Sequence, residues 1–142
     1  MKEIVKKIVK NTPFYYRFRN WAIKRRWAVE LAGWKKQGRP VPPPHIIKQR
    51  TLREYSKRYG LRILVEKGIY IGDMVEAMKA DFDRIYSIEL SKELYKKALM
   101  RFDGVHNVEL INGDSGNEIK RILNKINQPA LFWLDTAIIQ LE

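Results

Sequence analysis

The sequence predicts an α/β protein built on a parallel sheet. Beyond residue 60, four short apolar runs alternate with helix-like stretches: 62–66, 84–89, 108–111 and 130–134. The connections between them are short and rich in Gly, Asn, Asp and Pro. Each run ends at or just before an acidic residue: Glu66, Glu89, Asp114 and Asp135. Strand–helix alternation with short connections implies right-handed crossovers and parallel strands. Ligands of such sheets sit beyond the carboxyl ends of the strands, so the four acids fall on one rim.

Each element has its own local cause. Residues 62–66 form the first strand, and Gly68 and Gly72 follow it in a G-x-x-x-G turn. The helix expected over 71–80 puts Met74, Val75 and Met78 on one face. The second strand spans 84–89, and a helix over 91–102 follows with Ser91 as its N-cap. Asp103-Gly104 turns the chain into the third strand, 108–111. Asn112-Gly113-Asp114-Ser115-Gly116 leads to a helix over 117–126, with Ile119, Ile122, Leu123 and Ile126 as its expected buried stripe. Gln128-Pro129 precedes the fourth strand, 130–134.

The N-terminal part has a different character. Residues 1–60 carry 17 Lys/Arg against 3 Asp/Glu, and residues 61–142 carry 11 against 13; the balances of +14 and −2 make up the net +12. Three regions are expected: a basic helical region over 1–37, a stiff proline-rich connector over 38–45, and the α/β body over 46–142. Helices are expected over 2–10, stopping near Asn11-Thr12-Pro13, and over 17–36, with Trp27, Leu31 and Trp34 at helical spacing. A further helix, 46–59, should end at Gly60.

Several classes of chemistry find little support. The chain has no cysteine, which rules out disulfides, thiol nucleophiles and thiolate metal sites. Its two histidines, His45 and His106, have no metal-ligand spacing, so no metal site is expected and a structural or surface role suits His45. There is no G-x-S-x-G elbow, no G-x-G-x-x-G and no G-x-x-x-x-G-K-[ST]. No apolar run approaches the roughly 18 residues of a membrane span, and no signal peptide is expected; a cytoplasmic protein, either free or peripheral to a membrane, is the expectation.

The strand–glycine turn–helix–strand–acid order of 63–89 is what a nucleotide-type ligand needs. Glycine lets the backbone approach the ligand, and an acid roughly 20 residues downstream reaches a pair of ribose hydroxyls. The phrases Val65-Glu66-Lys67-Gly68-Ile69-Tyr70-Ile71-Gly72-Asp73-Met74, Ile85-Tyr86-Ser87-Ile88-Glu89-Leu90, Gly113-Asp114 and Phe132-Trp133-Leu134-Asp135 resemble the class I, Rossmann-like S-adenosylmethionine-dependent methyltransferases over about residues 61–135. The resemblance implies a sheet ordered 3-2-1-4 behind N-terminal helices. It also implies S-adenosylmethionine as cofactor and a small-molecule or saccharide methyl acceptor, with no metal and no covalent intermediate.

Residue by residue, the resemblance puts Gly68, Tyr70 and Gly72 in the loop under the methionine part of the cofactor. Glu66 organises that loop and faces the cofactor's amino group, and Glu89 takes the ribose hydroxyls. Gly113, Asp114 and Ser115 lie at the adenine, and Asp135 near the methyl group and substrate. Each has a structural alternative: turn glycines, a solvated helix cap at Glu89, an N-cap at Asp114, an exposed residue at Asp135. Lys67 and Ile69 depart from the small hydroxyl residues of the family loop; Lys67 adds a cation near a sulfonium, and Ile69 removes a hydroxyl contact. The family's full sheet has seven strands ordered 3-2-1-4-5-7-6, and the expectation here is a chain lacking the C-terminal ones. Its fourth strand would then form an apolar edge open to self-association.

The basic arm suggests a second class of function. Phe14, Tyr15, Tyr16, Arg17, Phe18, Arg19, Trp21, Arg25, Arg26 and Trp27 interleave aromatics with cations. Residues 1–36 suit RNA or DNA, through phosphate contacts and stacking. They equally suit an anionic membrane surface or a helical cap packed on the body. The runner-up to a methyltransferase is therefore a non-catalytic basic module.

Overall fold

Among the described residues nine elements follow one another: α1 (Pro13–Lys36), α2 (His45–Tyr59), β1 (Ile63–Lys67), α3 (Asp73–Met78), β2 (Arg84–Glu89), α4 (Lys92–Arg101), β3 (Val108–Asn112), α5 (Ser115–Lys125) and β4 (Ala130–Leu134). The structure is a computed structural model. It describes residues 13–134, and of residues 13–20 and 23 the backbone alone. The expected helix over 2–10 and Asp135 lie outside the described residues.

The chain falls into two compact units, divided between Lys48 and Gln49. In the first, α1 begins at Pro13, four residues before the expected start. Proline lacks an amide hydrogen that the first helical turn would leave unpaired, so it opens a helix as readily as it ends one. Trp27, Leu31 and Trp34 are half-buried, one above the other. The helix ends where Gly38 and Arg39 take positive φ, 78° and 60°. The Arg39 amide there donates to the Trp34 carbonyl at 3.0 Å. The Trp34 indole N–H donates to the Pro40 carbonyl at 2.7 Å and ties the connector back to its helix.

In the second unit the four strands form one parallel sheet in the order β3-β2-β1-β4. This is the order implied by the resemblance. β1 is central, flanked in register by β2 (Glu66 opposite Ser87) and by β4 (Glu66 opposite Trp133). A strand covered on both faces needs a continuous apolar run rather than alternation. Ile63, Leu64 and Val65 provide it, each at most 5% exposed.

Two cores result. Leu64 and Ile85 face Leu52 of α2, Met74, Val75 and Met78 of α3, and Ala98 of α4, with Phe82 and Phe102 completing the layer. Ile63, Val65, Tyr86 and Ile88 face Ile122 of α5, with Ile119 and Ile126 beside it. Leu123, expected in that stripe, is 50% exposed. At about 100° per residue it turns aside from the line through 119, 122 and 126.

Caps set the boundaries. The Ser91 hydroxyl accepts from the Leu94 amide at the start of α4. Gly60, with φ 64°, ends α2, and there the Leu61 amide reaches the Ser56 carbonyl at 2.9 Å. Gly72 is fixed twice over. Its φ is 83°, and a Cβ there would lie 2.7 Å from Cε2 of Phe102. A Cβ on Gly68, with φ 81°, would meet nothing within 4 Å.

The two glycines should therefore respond differently to substitution. Gly72→Val should cost roughly 3 kcal/mol, because overpacking adds to backbone strain. Gly68→Ala should cost roughly 1 kcal/mol, from the positive φ alone. Urea unfolding monitored by circular dichroism measures both; equal losses would contradict this packing.

Candidate functional site

The carboxyl ends of β1, β2 and β3 bring Glu66, Glu89 and the 113–115 turn onto one rim. The loop after β1 is built from backbone as much as side chain. The Gly68 amide donates to the Ile88 carbonyl at 2.8 Å, pinning the first glycine to β2. The Gly72 amide donates back to the Ile69 carbonyl at 2.7 Å, closing a tight turn before α3. Between them Tyr70 takes φ 49°, a left-handed conformation that non-glycine residues rarely adopt.

Glu89 holds that conformation in place. One carboxylate oxygen accepts from the Tyr70 amide at 3.1 Å, and the other from the Ser91 amide at 2.9 Å. Its carbonyl accepts from the Asn112 side chain at 2.8 Å and the Gly113 amide at 3.1 Å. One residue thus ties the glycine loop, the start of α4 and the end of β3 together. Glu89 is 8% exposed, so its carboxylate is largely withdrawn from water yet satisfied by amides.

Glu66 lies deeper, at 2% exposure. The Ser87 hydroxyl opposite it donates to its carboxylate at 2.6 Å. Burial pushes the Glu66 carboxyl up to about 7; the Ser87 bond pulls the other way, and the nearby negative Glu89 adds to the rise. Glu66 is therefore a buried acid balanced between its two forms near neutrality.

Asp114 has a local role. It is exposed, and its carboxylate accepts from the Asn117 amide at 3.2 Å, capping α5. Ser115 is the first residue of that helix. Gly113 lies under Glu118: a Cβ there would come 2.8 Å from Cγ of Glu118. Ile69 does not line the loop's open side. At 4% exposure it is part of the core above β1, so its apolar character serves packing rather than marking a lost ligand contact. Lys67 is exposed at the end of β1.

Two neighbours of the site escape sequence reasoning. Asn112 reads as a turn residue, but its amide also binds the Glu89 and Leu90 carbonyls across the strand ends. Trp133 flanks Glu66 only because β4 pairs with β1. Among the described residues, no three His, Cys, Asp or Glu groups cluster as metal ligands, and no helix is long and apolar enough to cross a membrane. A small cleft lined by Arg53, Ser56, Lys57, Arg62, Ala80 and Asp81 lies at the opposite, amino end of β1 and shares no residue with the rim.

No family model matches the chain, and no curated protein matches it in sequence. Solved structures do match in fold. An O-methyltransferase from Bacillus cereus, in complex with S-adenosylhomocysteine, superposes with a TM-score of 0.55 at 16% identity, over 93% of this chain and 60% of that one. A Klebsiella pneumoniae protein assigned as an O-methyltransferase gives a TM-score of 0.51 at 13% identity, over 95% and 58%. The chain thus spans less than two thirds of the structures it matches. Its fold is the Rossmann-like fold of class I S-adenosylmethionine-dependent methyltransferases.

Titration of Glu66 should govern the pH dependence of stability. Its folded value lies above the ordinary 4.5, so its contribution is complete below about 4.5 and is lost as pH rises through about 7. The loss should be roughly 3 kcal/mol. Glu66→Gln keeps an acceptor for Ser87 and should abolish this slope, raising stability at pH 8. Urea titrations at pH 5 and pH 8 measure it; parallel behaviour of the two proteins would exclude a buried, titrating Glu66.

Proposed function

We propose that the chain binds S-adenosylmethionine across the carboxyl rim and serves methyl transfer to a small-molecule acceptor, a saccharide among the candidates. The observation that carries this is the Glu89 carboxylate. Each of its oxygens accepts one amide. A carboxylate oxygen accepts two hydrogen bonds, so acceptor capacity for a pair of ribose hydroxyls remains.

Open space at the loop backbone supports the reading. Nothing fills the position a Cβ would take on Gly68, so a ligand can approach the backbone there. Glu66, behind the loop, supplies negative charge toward an amino group when ionised. Gly113, Asp114 and Ser115 stand at the end of β3, where the adenine is expected. The Asp114 carboxylate already holds the Asn117 amide, and its exposure leaves it open to a further donor. Asp135 is retained as the candidate residue beside the transferred methyl.

When bound, the cofactor supplies a methyl group activated by a sulfonium, so the protein's tasks are binding, orientation and exclusion of water. Glu89 fixes the loop and the ribose in one stroke. β1 and β2 hold both carboxylates on rigid strand ends.

Calorimetric titration of the full chain with S-adenosylmethionine and S-adenosylhomocysteine tests the proposal. Saturable binding is expected, weakened at least about tenfold in Glu89→Ala, the range for losing a charge-assisted hydrogen bond. Asp114→Ala should lose about 1 kcal/mol of stability through its cap, whatever its effect on affinity. Absence of binding by the folded wild-type chain would refute the proposal.

A further inference from the structure

We infer that α1 is a docking surface for single-stranded nucleic acid. The sequence of α1 contains seven Lys/Arg and one acid. Lys24, Arg25, Arg26, Lys35 and Lys36 are exposed. Among the described residues, no ion pair joins any of these five to a carboxylate. In the second unit, by comparison, Arg62, Arg84, Arg101 and Lys125 each hold a carboxylate at 2.6–2.9 Å. The positive charge of α1 is therefore available to an external polyanion.

The distribution of these cations selects the partner. At about 100° per residue, the five cover roughly 200° of the helix. The half-buried Trp27, Leu31 and Trp34 occupy the remaining side. Exposed apolar residues are scattered among the cations: Trp21 is 54% exposed and Val29 68%. An interfacial membrane helix needs apolar residues segregated on one face to enter the lipid. Among the described side chains of α1 the exposed apolar groups form no separate face, and cations flank both Trp21 and Val29. A flexible single strand can follow charge around a helix as well as along it, and Lys24 to Lys36 spans about 18 Å of helix.

Aromatic groups add a second element of recognition. The Arg25 guanidinium lies over the Trp21 ring, 5.5 Å from its centroid. An exposed indole flanked by a cation offers a stacking platform to an unpaired base, which a duplex does not present. This surface is independent of the cofactor rim and does not rest on the methyl-transfer proposal.

Fluorescence anisotropy of a labelled, mixed-sequence single-stranded RNA titrated with the full chain tests the inference. Five phosphate contacts predict a slope of log affinity against log salt of about −3.5 or steeper. Neutralising three of them in Lys24→Gln/Arg25→Gln/Arg26→Gln should bring the slope about 2 units closer to zero. Trp21→Ala should weaken binding roughly tenfold. Arg62→Gln/Lys125→Gln, which removes paired cations, should leave binding unchanged. Because the slope is measured on the unmodified chain, the test does not depend on the variants folding. A slope shallower than about −1 would overturn the inference. So would undiminished affinity in the folded triple variant, or binding to phosphatidylserine vesicles without binding to RNA.

Discussion

The glycine loop after β1 and the start of α4 both depend on one buried carboxylate receiving two backbone amides. Glu89 takes the Tyr70 amide on one oxygen and the Ser91 amide on the other. The first bond holds a non-glycine residue at φ 49°, a conformation that costs free energy and needs support. The second starts α4. Remove the carboxylate and the loop after β1 keeps the Arg101 guanidinium on its Ile71 carbonyl but loses the anchor at Tyr70, while two amides beside the rim lose their partner. In the proposed binding mode the same group also accepts from the ribose, which makes loop architecture and ligand recognition one constraint.

Glu66 shows the cost of placing acids at strand ends inside a parallel sheet. It sits between Ser87 and Trp133, with one hydroxyl donor and almost no water. Burial outweighs the Ser87 bond, and the carboxyl is held near neutrality. Such an environment is poor for stability once the carboxyl ionises. In the α/β unit Arg62, Arg84 and Lys125 are matched to carboxylates.

Most of the sheet was legible in the sequence because its signals are local. Apolar runs bounded by glycine, proline and acids locate β2 and β4 to the residue and β1 and β3 to within one. Ser91 and Gly60 announce their caps by residue type. The positions of Glu66 and Glu89 on the carboxyl rim were legible because each is the acid that closes an apolar run. What escaped depends on geometry that no periodicity encodes. Ile69 turns into the core because Gly68 and Tyr70, on either side, both take positive φ. Asn112 acts across strands through a single side chain. Trp133 meets Glu66 only through the crossover that brings β4 beside β1. Asp114 caps α5, a role its residue type permits but does not distinguish from ligand binding.

The central claim is that the carboxylate organising the glycine loop is also the one that meets the cofactor. Amide hydrogen exchange at Tyr70 and Ser91, followed by NMR with and without S-adenosylhomocysteine, tests it most directly. The account predicts that saturating ligand slows exchange at these two amides more than at amides in the middle of β1 and β2, because the ligand locks the carboxylate they bond. Saturable binding that leaves the Tyr70 and Ser91 amides unchanged would place the ligand elsewhere and contradict the account.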